Sequence, residues 1–429
     1  MRSLRRLAAL LVVNLIVLAV AAEVLSLAVY YYQHGWLFYL DPYRTPRAAV
    51  PDMAAARLTN EGLHPYFGQS HRPGVPFDIP ESLRRGPAQR RVTNNFGFVA
   101  PHDYPYRKTS ARQAVVGIFG GSVGAWFCQL GTDRLLARLR ADARFRDREL
   151  VPLCFAHEGY KQPQQLLVLS YFLSVGQVFD LVVNIDGFNE VALGRVNAER
   201  GLEPTMPSAM HLDPLMALVN QGAMTPARLE TLAAIADDRA TLTALGARLR
   251  TTRSAALFVG LDQYAAIVEA RYRRARVRFD QLPSPGAGDS LILVTPKGST
   301  PQGEPEVDAM ARNWAESSQL MQQLLSARGV PYVHVLQPNQ YYGARAFSAE
   351  ERRVAFNDGS PFKPGVIAGY PALLRQVAAS GLASKERFID ATGAFDHLTT
   401  PMYMDDCCHF TLAGNERMAD VVAEAVLRR

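Results

Sequence analysis

The sequence predicts an α/β protein built around a parallel β-sheet. After about residue 106, short apolar runs typical of buried strands alternate with longer segments whose apolar residues recur at helical spacing. Such alternation favours a parallel sheet covered by helices on both faces, which is a three-layer α/β/α arrangement. The length of 429 residues, with 48% hydrophobic and 20% charged residues, is enough for one large domain with an appendage or for two domains.

The first predicted element is an apolar helix near the N-terminus. The residues from Leu7 to Tyr30 are nearly all apolar, and a helix of that length extends about 36 Å, enough to cross a hydrocarbon core of about 30 Å. Arg2, Arg5 and Arg6 precede it, so the positive-inside rule predicts a cytoplasmic N-terminus, an anchor over residues 1–32 and an external remainder. A signal peptide cleaved after Ala19-Val20-Ala21 is the alternative. The apolar run continues for about ten residues beyond that point, which favours an uncleaved anchor.

The residues of this apolar segment that are costly in lipid are Asn14 and Glu23. Each costs on the order of a few kcal/mol near the middle of a bilayer and less toward its surface. Glu23 therefore either faces a partner helix or extends its carboxylate toward the membrane surface, and the sequence leaves both alternatives open.

Residues 33–105 form a stretch rich in Pro, Tyr, Phe and Arg, which contains HPYFGQSHRPGVPF and TNNFGFVAP. Periodic segments are few and proline recurs, so we predict an irregular collar around the following domain rather than a separate fold. No function follows from this stretch.

Residues 106–429 carry the predicted core. We predict strands at 115–119, 150–155, 181–185, 332–336 and 388–390, and helices ending near 139 and spanning about 163–175, 307–327, 368–379 and 412–428. A helical insertion is predicted over about 191–290, because its apolar positions recur at helical spacing and structureless loops of that length are uncommon. The insertion forms either a lid or wall of a substrate cleft, or a surface excursion without substrate contact.

A serine lies where the first core strand meets its helix. The run from Val115 to Phe119 ends in Gly120-Gly121-Ser122, after which apolar residues take up helical spacing. Glycines permit the tight turn, and a hydroxyl at a helix N-terminus lies beside free N–H groups and the positive end of the helix dipole. Ser122 is therefore a candidate nucleophile, and the alternative is an ordinary N-cap serine in a Gly-rich turn.

The C-terminal sequence MYMDDCCHFTLAGNERM favours the catalytic alternative. Asp406 precedes His409 by three residues. This step puts both side chains on one side of a helical turn, where a carboxylate can hold the Nδ1 proton of an imidazole whose Nε2 faces a serine. Two further polar or flexible positions follow predicted strands, Gly159 in HEGYKQPQQ and Asn189 in VVNIDGFNE.

These four blocks, in this order, resemble those of the SGNH/GDSL hydrolases, which carry Ser, Gly, Asn and Asp-x-x-His. The resemblance covers roughly residue 90 to the end and implies a flavodoxin-like three-layer fold. It implies Ser122 as nucleophile, His409 as base and Asp406 as the residue that orients the base. The implied oxyanion donors are the Ser122 N–H, the Gly159 N–H and the Asn189 side-chain amide.

The chain departs from the family pattern at two points. Gly121 stands where the family usually has Asp, and GFNE replaces the commoner G-x-N-D. The first change leaves the nucleophile intact and the second keeps the amide. The segments HVLQPNQYYG and GYKQPQQL also resemble those of envelope members of the family, which narrows the architecture without identifying a substrate.

A different hydrolase fold is the main structural alternative. Gly120-x-Ser122-x-Gly124 satisfies the nucleophile-elbow pattern of α/β-hydrolases. In that fold several strands precede the serine, and the acid lies on a separate, earlier loop from the histidine. Here Ser122 follows the first core strand and Asp406 nearly adjoins His409, so the pattern disfavours this fold.

The cysteines and the remaining histidines are assigned no catalytic role. Cys128, Cys154, Cys407 and Cys408 match no zinc motif, so no metal or other cofactor is expected. An oxidising compartment permits disulfides, but the sequence leaves their pairing open. A cysteine nucleophile is disfavoured because His409 is already matched to Ser122. His334 and His397 lack a carboxylate at comparable spacing and are predicted to be structural.

The net charge of +6 comes mostly from dispersed arginines, with one cluster at Arg271, Arg273, Arg274, Arg276 and Arg278. This cluster faces either solvent, which we favour, or anionic lipid or glycan. Nucleic acid is not expected because the domain is predicted to be external. We therefore expect a single-pass protein of the bacterial inner membrane whose periplasmic domain is a serine esterase for an O-acyl group on an envelope glycan or lipid. An O-acyltransferase with the same residues and a catalytically silent glycan-binding or assembly protein are the alternatives.

Overall fold

Residues 60–216 and 292–429 form the larger of two compact units, and residues 1–59 with 217–291 form the smaller. The structure is a computed structural model that describes residues 2–41, 60–80, 83, 91–219, 225–282, 306–382 and 387–428. Residues 217–291 thus interrupt the larger unit, and this interruption begins later in the chain than the predicted insertion boundary at about 191.

A five-stranded parallel sheet lies within the larger unit. The strands that the structure describes are β1 (Glu61–His64), β2 (Gly68–His71), β3 (Pro76–Phe77), β4 (Arg91–Val92), β5 (Gln113–Gly120), β6 (Glu149–Ala156), β7 (Leu181–Asp186), β8 (Tyr332–Leu336) and β9 (Arg387–Asp390). The sheet has the order β6-β5-β7-β8-β9, with every neighbouring pair parallel. In chain order this is 2-1-3-4-5, the order of a doubly wound sheet. The predicted α/β class with a parallel sheet is confirmed.

Helices connect and cover these strands. The described α-helices are α1 (Arg2–His34), α2 (Ser122–Leu130), α3 (Thr132–Arg140), α4 (Gln164–Ser174), α5 (Phe188–Glu199), α6 (Ala209–Val219), α7 (Pro226–Thr251), α8 (Ala255–Gln281), α9 (Glu306–Ser326), α10 (Ala349–Ala355), α11 (Lys363–Ser380) and α12 (Leu412–Leu427). Val191 of α5 is fully buried in the core of the sheet. This burial is why α5 belongs to the larger unit although the sequence analysis assigns it to the insertion.

Alternate residues of β5 enter two different apolar clusters. Val116 and Ile118 pack in the cluster that includes residues of α2, α3 and α12. Val115 and Phe119 pack in the second cluster, together with residues of α4 and β6. Because successive side chains of a strand point to opposite faces of its sheet, the two clusters are the apolar layers on the two faces.

The described part of the predicted collar is more regular than expected. Residues 60–80, 83 and 91–105 belong to the larger unit, where β1 pairs with β2 and β3 pairs with β4, both antiparallel. Phe67, Phe98 and Tyr104 are buried in the second apolar cluster, and the Tyr104 hydroxyl donates a hydrogen bond to the Cys154 carbonyl at 2.9 Å. Residues 42–59, 81–82 and 84–90 of the predicted collar lie outside the described residues.

The smaller unit has its own apolar core. Tyr30 of α1 and Phe38 pack with Leu242 of α7 and Phe258 of α8. Two of the clustered arginines on α8 are paired within this unit, Arg271 with Asp238 and Arg273 with Glu269. Within α1, the stretch Leu10–His34 is long and apolar enough to span a membrane, by length and composition.

Glu23 of α1 contacts a helix of its own chain. Its carboxylate accepts hydrogen bonds from the Ser254 hydroxyl at 2.7 Å and from the N–H groups of Ala255 and Ala256 at 2.6 and 3.1 Å. These N–H groups begin α8, and a carboxylate there satisfies donors that a helix leaves unpaired and complements its dipole. Glu23 therefore faces a helix, and that helix belongs to the same chain.

Candidate active site

The candidate nucleophile lies at the corner between β5 and α2. Gly120 has φ +148°, and a Cβ added there would lie 2.3 Å from the Ile185 carbonyl oxygen, so only glycine fits. Ser122 is the first residue of α2 and is 8% exposed. Its Oγ lies 2.7 Å from Nε2 of His409, as the sequence analysis predicts.

The acid that contacts His409 is Asp405 rather than Asp406. Nδ1 of His409 is hydrogen-bonded to Oδ2 of Asp405. Because a carboxylate can only accept, Nδ1 carries the proton and Nε2 accepts from the Ser122 hydroxyl. The Asp406 carboxylate instead accepts a hydrogen bond from the Asn357 amide at 2.7 Å. The structure therefore corrects the assignment of Asp406 as the orienting residue.

The conformation of the loop explains this correction. Residues 404–408 form a bend rather than the helical turn on which the three-residue spacing argument depends. An isolated antiparallel bridge between Tyr403 and Phe410 closes the loop. Oδ1 of Asp405 accepts the N–H groups of Cys407, Cys408 and His409 at 3.0, 3.1 and 3.2 Å. One carboxylate thus fixes the turn with one oxygen and the imidazole with the other.

The contact between Asp405 and His409 shifts the pKa values of both residues. Burial would lower the pKa of His409, but the adjacent Asp405 carboxylate and, after it, the Cys408 side chain outweigh burial and raise that pKa well above its usual value. Burial would likewise raise the pKa of Asp405, yet His409 and the N–H donors lower it. Each partner therefore favours the charged form of the other, which is the property that a general base needs as it accepts a proton.

The segment that follows β8 anchors the loop. Three consecutive residues donate side-chain hydrogen bonds to its backbone carbonyls: Asn339 to Cys407, Gln340 to Asp405 and Tyr341 to Asp406, at 3.2, 3.2 and 2.9 Å. They belong to HVLQPNQYYG, whose role sequence analysis could not assign. This segment holds the loop in the conformation that presents Asp405 to His409.

Gly159 and Asn189 follow the carboxyl ends of β6 and β7. These strands flank β5, and Gly120 lies in register with Ala156 and Ile185, so all three loops begin at one edge of the sheet. The Asn189 amide donates to the Tyr160 carbonyl at 2.7 Å. A primary amide carries two N–H donors, so this bond fixes the amide orientation while the second N–H can serve an oxyanion.

Gly121 has a steric reason to be glycine. A Cβ at this position would lie 2.1 Å from the Asn189 amide nitrogen and 2.9 Å from the Tyr160 carbonyl oxygen. A larger residue would therefore displace the amide. The glycine at this position therefore fits the close approach of Asn189.

Glu190 ties the loops after β6 and β7 together. Its two carboxylate oxygens accept the N–H groups of Gln162 and Gly187 at 2.8 and 2.9 Å. Burial, with the nearby Asp186, raises the pKa of Glu190 to about 8. Burial also lowers the pKa of Lys161 to about 7, and its ammonium donates to the carbonyls of Pro204 and Met206. These buried contacts position the GYKQPQQ segment beside Asn189.

His211 of α6 lies against Gly159 and was not anticipated from the sequence. Gly159 has φ +75°, and an added Cβ would lie 2.5 to 2.7 Å from three atoms of the His211 ring. The sequence analysis assigns residue 211 to the insertion, and no spacing relates it to Gly159. The two come together because the first part of α6, which includes His211, belongs to the larger unit.

A second serine–histidine–aspartate set lies inside the protein. His334 contacts Ser318 through Nδ1 and Asp186 through Nε2, each at 2.8 Å. All three side chains are buried, and Asp186 also accepts the Trp314 indole N–H at 2.7 Å. No ester can reach this set without opening the core, so its role is structural, as predicted for His334. The other histidine, His397, is exposed.

The four cysteines divide into a disulfide and a pair of thiols. Cys128 of α2 is bonded to Cys154 of β6, which resolves the open pairing. Cys407 and Cys408 are thiols, with sulfur atoms 3.1 Å apart. Both thiols lie in the loop between Asp405 and His409, while the group 2.7 Å from the histidine Nε2 is the Ser122 hydroxyl.

Comparison with protein-family models finds no match to this chain, and comparison with curated proteins finds none either. The chemistry of the site therefore rests on its geometry.

Proposed function

We propose that this chain is a membrane-anchored serine esterase of the SGNH/GDSL type that hydrolyses an O-acyl ester. The observation that carries the proposal is the continuous hydrogen-bonded chain from Asp405 through His409 to Ser122. A binding protein has no need for a serine whose proton can pass to an oriented imidazole. The doubly wound sheet, with Gly159 and Asn189 at the same edge as Ser122, further supports the SGNH assignment over the α/β-hydrolase alternative.

The proposed reaction has two halves. Oγ of Ser122 attacks the ester carbonyl carbon while Nε2 of His409 takes the hydroxyl proton, and Asp405 stabilises the imidazolium that forms. The oxyanion accepts hydrogen bonds from the N–H groups of Ser122 and Gly159 and from the Asn189 amide. The intermediate then collapses: the bond to the alcohol oxygen breaks, and His409 protonates the leaving alcohol. Water, deprotonated by the same imidazole, releases the carboxylic acid and restores Ser122.

The first test asks whether Ser122 is an activated nucleophile. The full chain in detergent is expected to react with a fluorophosphonate probe at a single residue and to hydrolyse an aryl acetate, because an imidazole removes the serine proton. Ser122→Ala should abolish both. Ser318→Ala is the matched control, since Ser318 also contacts a histidine but is buried; this variant should keep labelling at Ser122.

Three outcomes separate the alternatives. A folded wild type that neither reacts with the probe nor cleaves aryl esters would favour the alternative of a catalytically silent binding protein. Labelling that persists in Ser122→Ala would exclude Ser122 as the nucleophile. Acyl transfer, the alternative within enzymes, would appear as an acetylated sugar when a glycan acceptor is added to the aryl acetate assay.

We further propose that α1 anchors the protein in the bacterial inner membrane, with the residues that follow α1 on the periplasmic side and an acylated envelope glycan or lipid as substrate. Arg2, Arg5 and Arg6 before the apolar stretch support this orientation. The Cys128–Cys154 disulfide supports it as well, because such bonds persist in oxidising compartments.

Alkaline phosphatase fused after Arg429 tests the orientation. The fusion is expected to be active. Alkaline phosphatase needs its disulfides in order to fold, and these form only outside the cytoplasm. A cytoplasmic reporter fused at the same residue serves as the matched control and should be inactive. The opposite pair of results would reverse the proposed topology.

A further inference from the structure

Three potential metal ligands converge next to the loop that carries Gly159. Glu61 begins β1 and His71 ends β2, and the antiparallel register places these two residues directly opposite each other. His157 follows β6. The hairpin of β1 and β2 therefore brings a carboxylate and an imidazole to a second imidazole from the central sheet.

The donor atoms of these three side chains all lie within 4.8 Å of one another. Glu61 and His157 are 2% and 1% exposed, and the two imidazole rings lie with centroids 4.4 Å apart. A tetrahedral Zn²⁺ with bonds of about 2.1 Å places its ligand atoms about 3.4 Å apart. Small rotations of these side chains are enough to reach that spacing.

A fourth residue orients both histidines. Nε2 of His71 lies 3.1 Å from the Glu158 carboxylate, and Nδ1 of His157 lies 3.1 Å from the Glu158 carbonyl oxygen. Both oxygens are acceptors, so these ring nitrogens carry the protons. The opposite nitrogens, Nδ1 of His71 and Nε2 of His157, then have the lone pairs that metal binding requires. Hydrogen bonds from ligand imidazoles to a carboxylate or a carbonyl are the usual outer contacts of protein metal sites.

We propose that Glu61, His71 and His157 form a binding site for one divalent transition-metal ion, with Zn²⁺ as the preferred ion. Two imidazoles and one carboxylate are a ligand set that zinc sites use, with the fourth position left to water or to another ligand. Ca²⁺ and Mg²⁺ are disfavoured because they take predominantly oxygen ligands. The ligands are separate from Ser122, Asp405 and His409, so the proposal does not depend on the esterase assignment.

Metal binding by the full chain in detergent tests this site directly. After removal of any affinity tag and treatment with a chelator, the protein is titrated with Zn²⁺ by calorimetry and with Co²⁺, whose visible absorption reports its coordination. We expect one equivalent to bind and the unfolding temperature to rise with Zn²⁺, because an ion that binds only the folded state stabilises it.

Single substitutions test which side chains bind the metal ion. His71→Gln and Glu61→Gln are each expected to weaken binding by at least about 100-fold, and Glu158→Gln by about 10- to 100-fold, because the His71 imidazole loses the carboxylate that orients it. His102→Gln is the matched control, since His102 belongs to the same unit and is not a proposed ligand, and it should bind as the wild type does. A thermal unfolding curve of each chelator-treated variant shows that the loss of binding is not a loss of fold.

Two results would overturn the proposal. One is a wild type that binds no stoichiometric ion. The other is binding that survives His71→Gln and Glu61→Gln but disappears in the Cys407→Ser, Cys408→Ser double variant, because the site would then be the second group of closely spaced donors, Cys407, Cys408 and His409. If Glu61→Gln or His71→Gln fails to fold, His157→Gln tests the same prediction from the strand side of the site.

Discussion

Ser122→Ala and His409→Ala are each expected to lower kcat for aryl-ester hydrolysis by about 10⁶-fold, and the double variant is expected to lose no more than either single variant. The reason is that the two groups act as one unit. Without the imidazole the hydroxyl keeps its proton, and without the hydroxyl the imidazole has no nucleophile to activate. The 2.7 Å contact between them is the structural basis of this expectation.

Steady-state kinetics on the three variants measure the effect, with thermal unfolding to confirm that each is folded. His397→Ala is the matched control for the histidine, because His397 is exposed and has no part in the proposed reaction. Its kcat should equal that of the wild type. A His409→Ala variant that keeps a tenth or more of the wild-type rate would show that His409 is not the base.

Asp405→Asn is expected to lower kcat by about 10⁴-fold, whereas Asp406→Asn is expected to change it by less than about tenfold. An amide at residue 405 can donate a hydrogen bond to Nδ1 of His409 and so stabilise the tautomer that carries its proton on Nε2. The amide also lacks the negative charge that stabilises the imidazolium. The Asp406 carboxylate contacts the Asn357 amide, away from the imidazole.

The pH dependence gives a second readout that a merely structural role would not produce. Asp405 raises the pKa of His409, and the base must be neutral to work, so activity appears as the pH rises through that pKa. Removing the carboxylate lowers the pKa, and the acid limb of the kcat/KM profile should move to lower pH in Asp405→Asn. The profile of Asp406→Asn should stay in place. A shift in Asp406→Asn with none in Asp405→Asn would restore the original assignment.

The fold and most of the candidate site follow from local signals in the sequence. Each core strand is a run of apolar residues, and β5 is buried from Gln113 to Gly120, so burial and periodicity are sufficient to find it. Ser122, Gly159 and Asn189 each follow such a run. Because parallel strands end at a common edge, their meeting there requires only that the strands are neighbours.

The choice between Asp405 and Asp406 could not be made in this way. Two adjacent carboxylates precede His409, and a spacing rule that assumes a helical turn selects the second. The actual bend depends on donors from Asn339, Gln340 and Tyr341, which lie more than sixty residues earlier in the chain. The Cys128–Cys154 pairing likewise depends on how α2 lies against β6, which no local pattern reports.

The cluster of Glu61, His71 and His157 escaped the sequence analysis for a related reason. Its first two residues lie in a stretch that was predicted to be irregular. The pairing of β1 with β2, which places them opposite each other, is not visible in residues with so little alternation of apolar and polar side chains. A ligand spacing of ten residues matches no metal motif.

If α1 is the membrane anchor that we propose, its contact between Glu23 and the start of α8 limits the depth at which α1 can enter a bilayer. A carboxylate that accepts two backbone N–H groups and a hydroxyl belongs at or above the lipid headgroups. The apolar run before it, from Leu7 to Ala22, extends only about 24 Å as a helix, against a hydrocarbon core of about 30 Å. That mismatch is relieved when the bilayer thins around the anchor. The turn between α7 and α8 then lies at the membrane surface. The anchor thus sets the distance of this turn from the bilayer as well as attaching the chain to it.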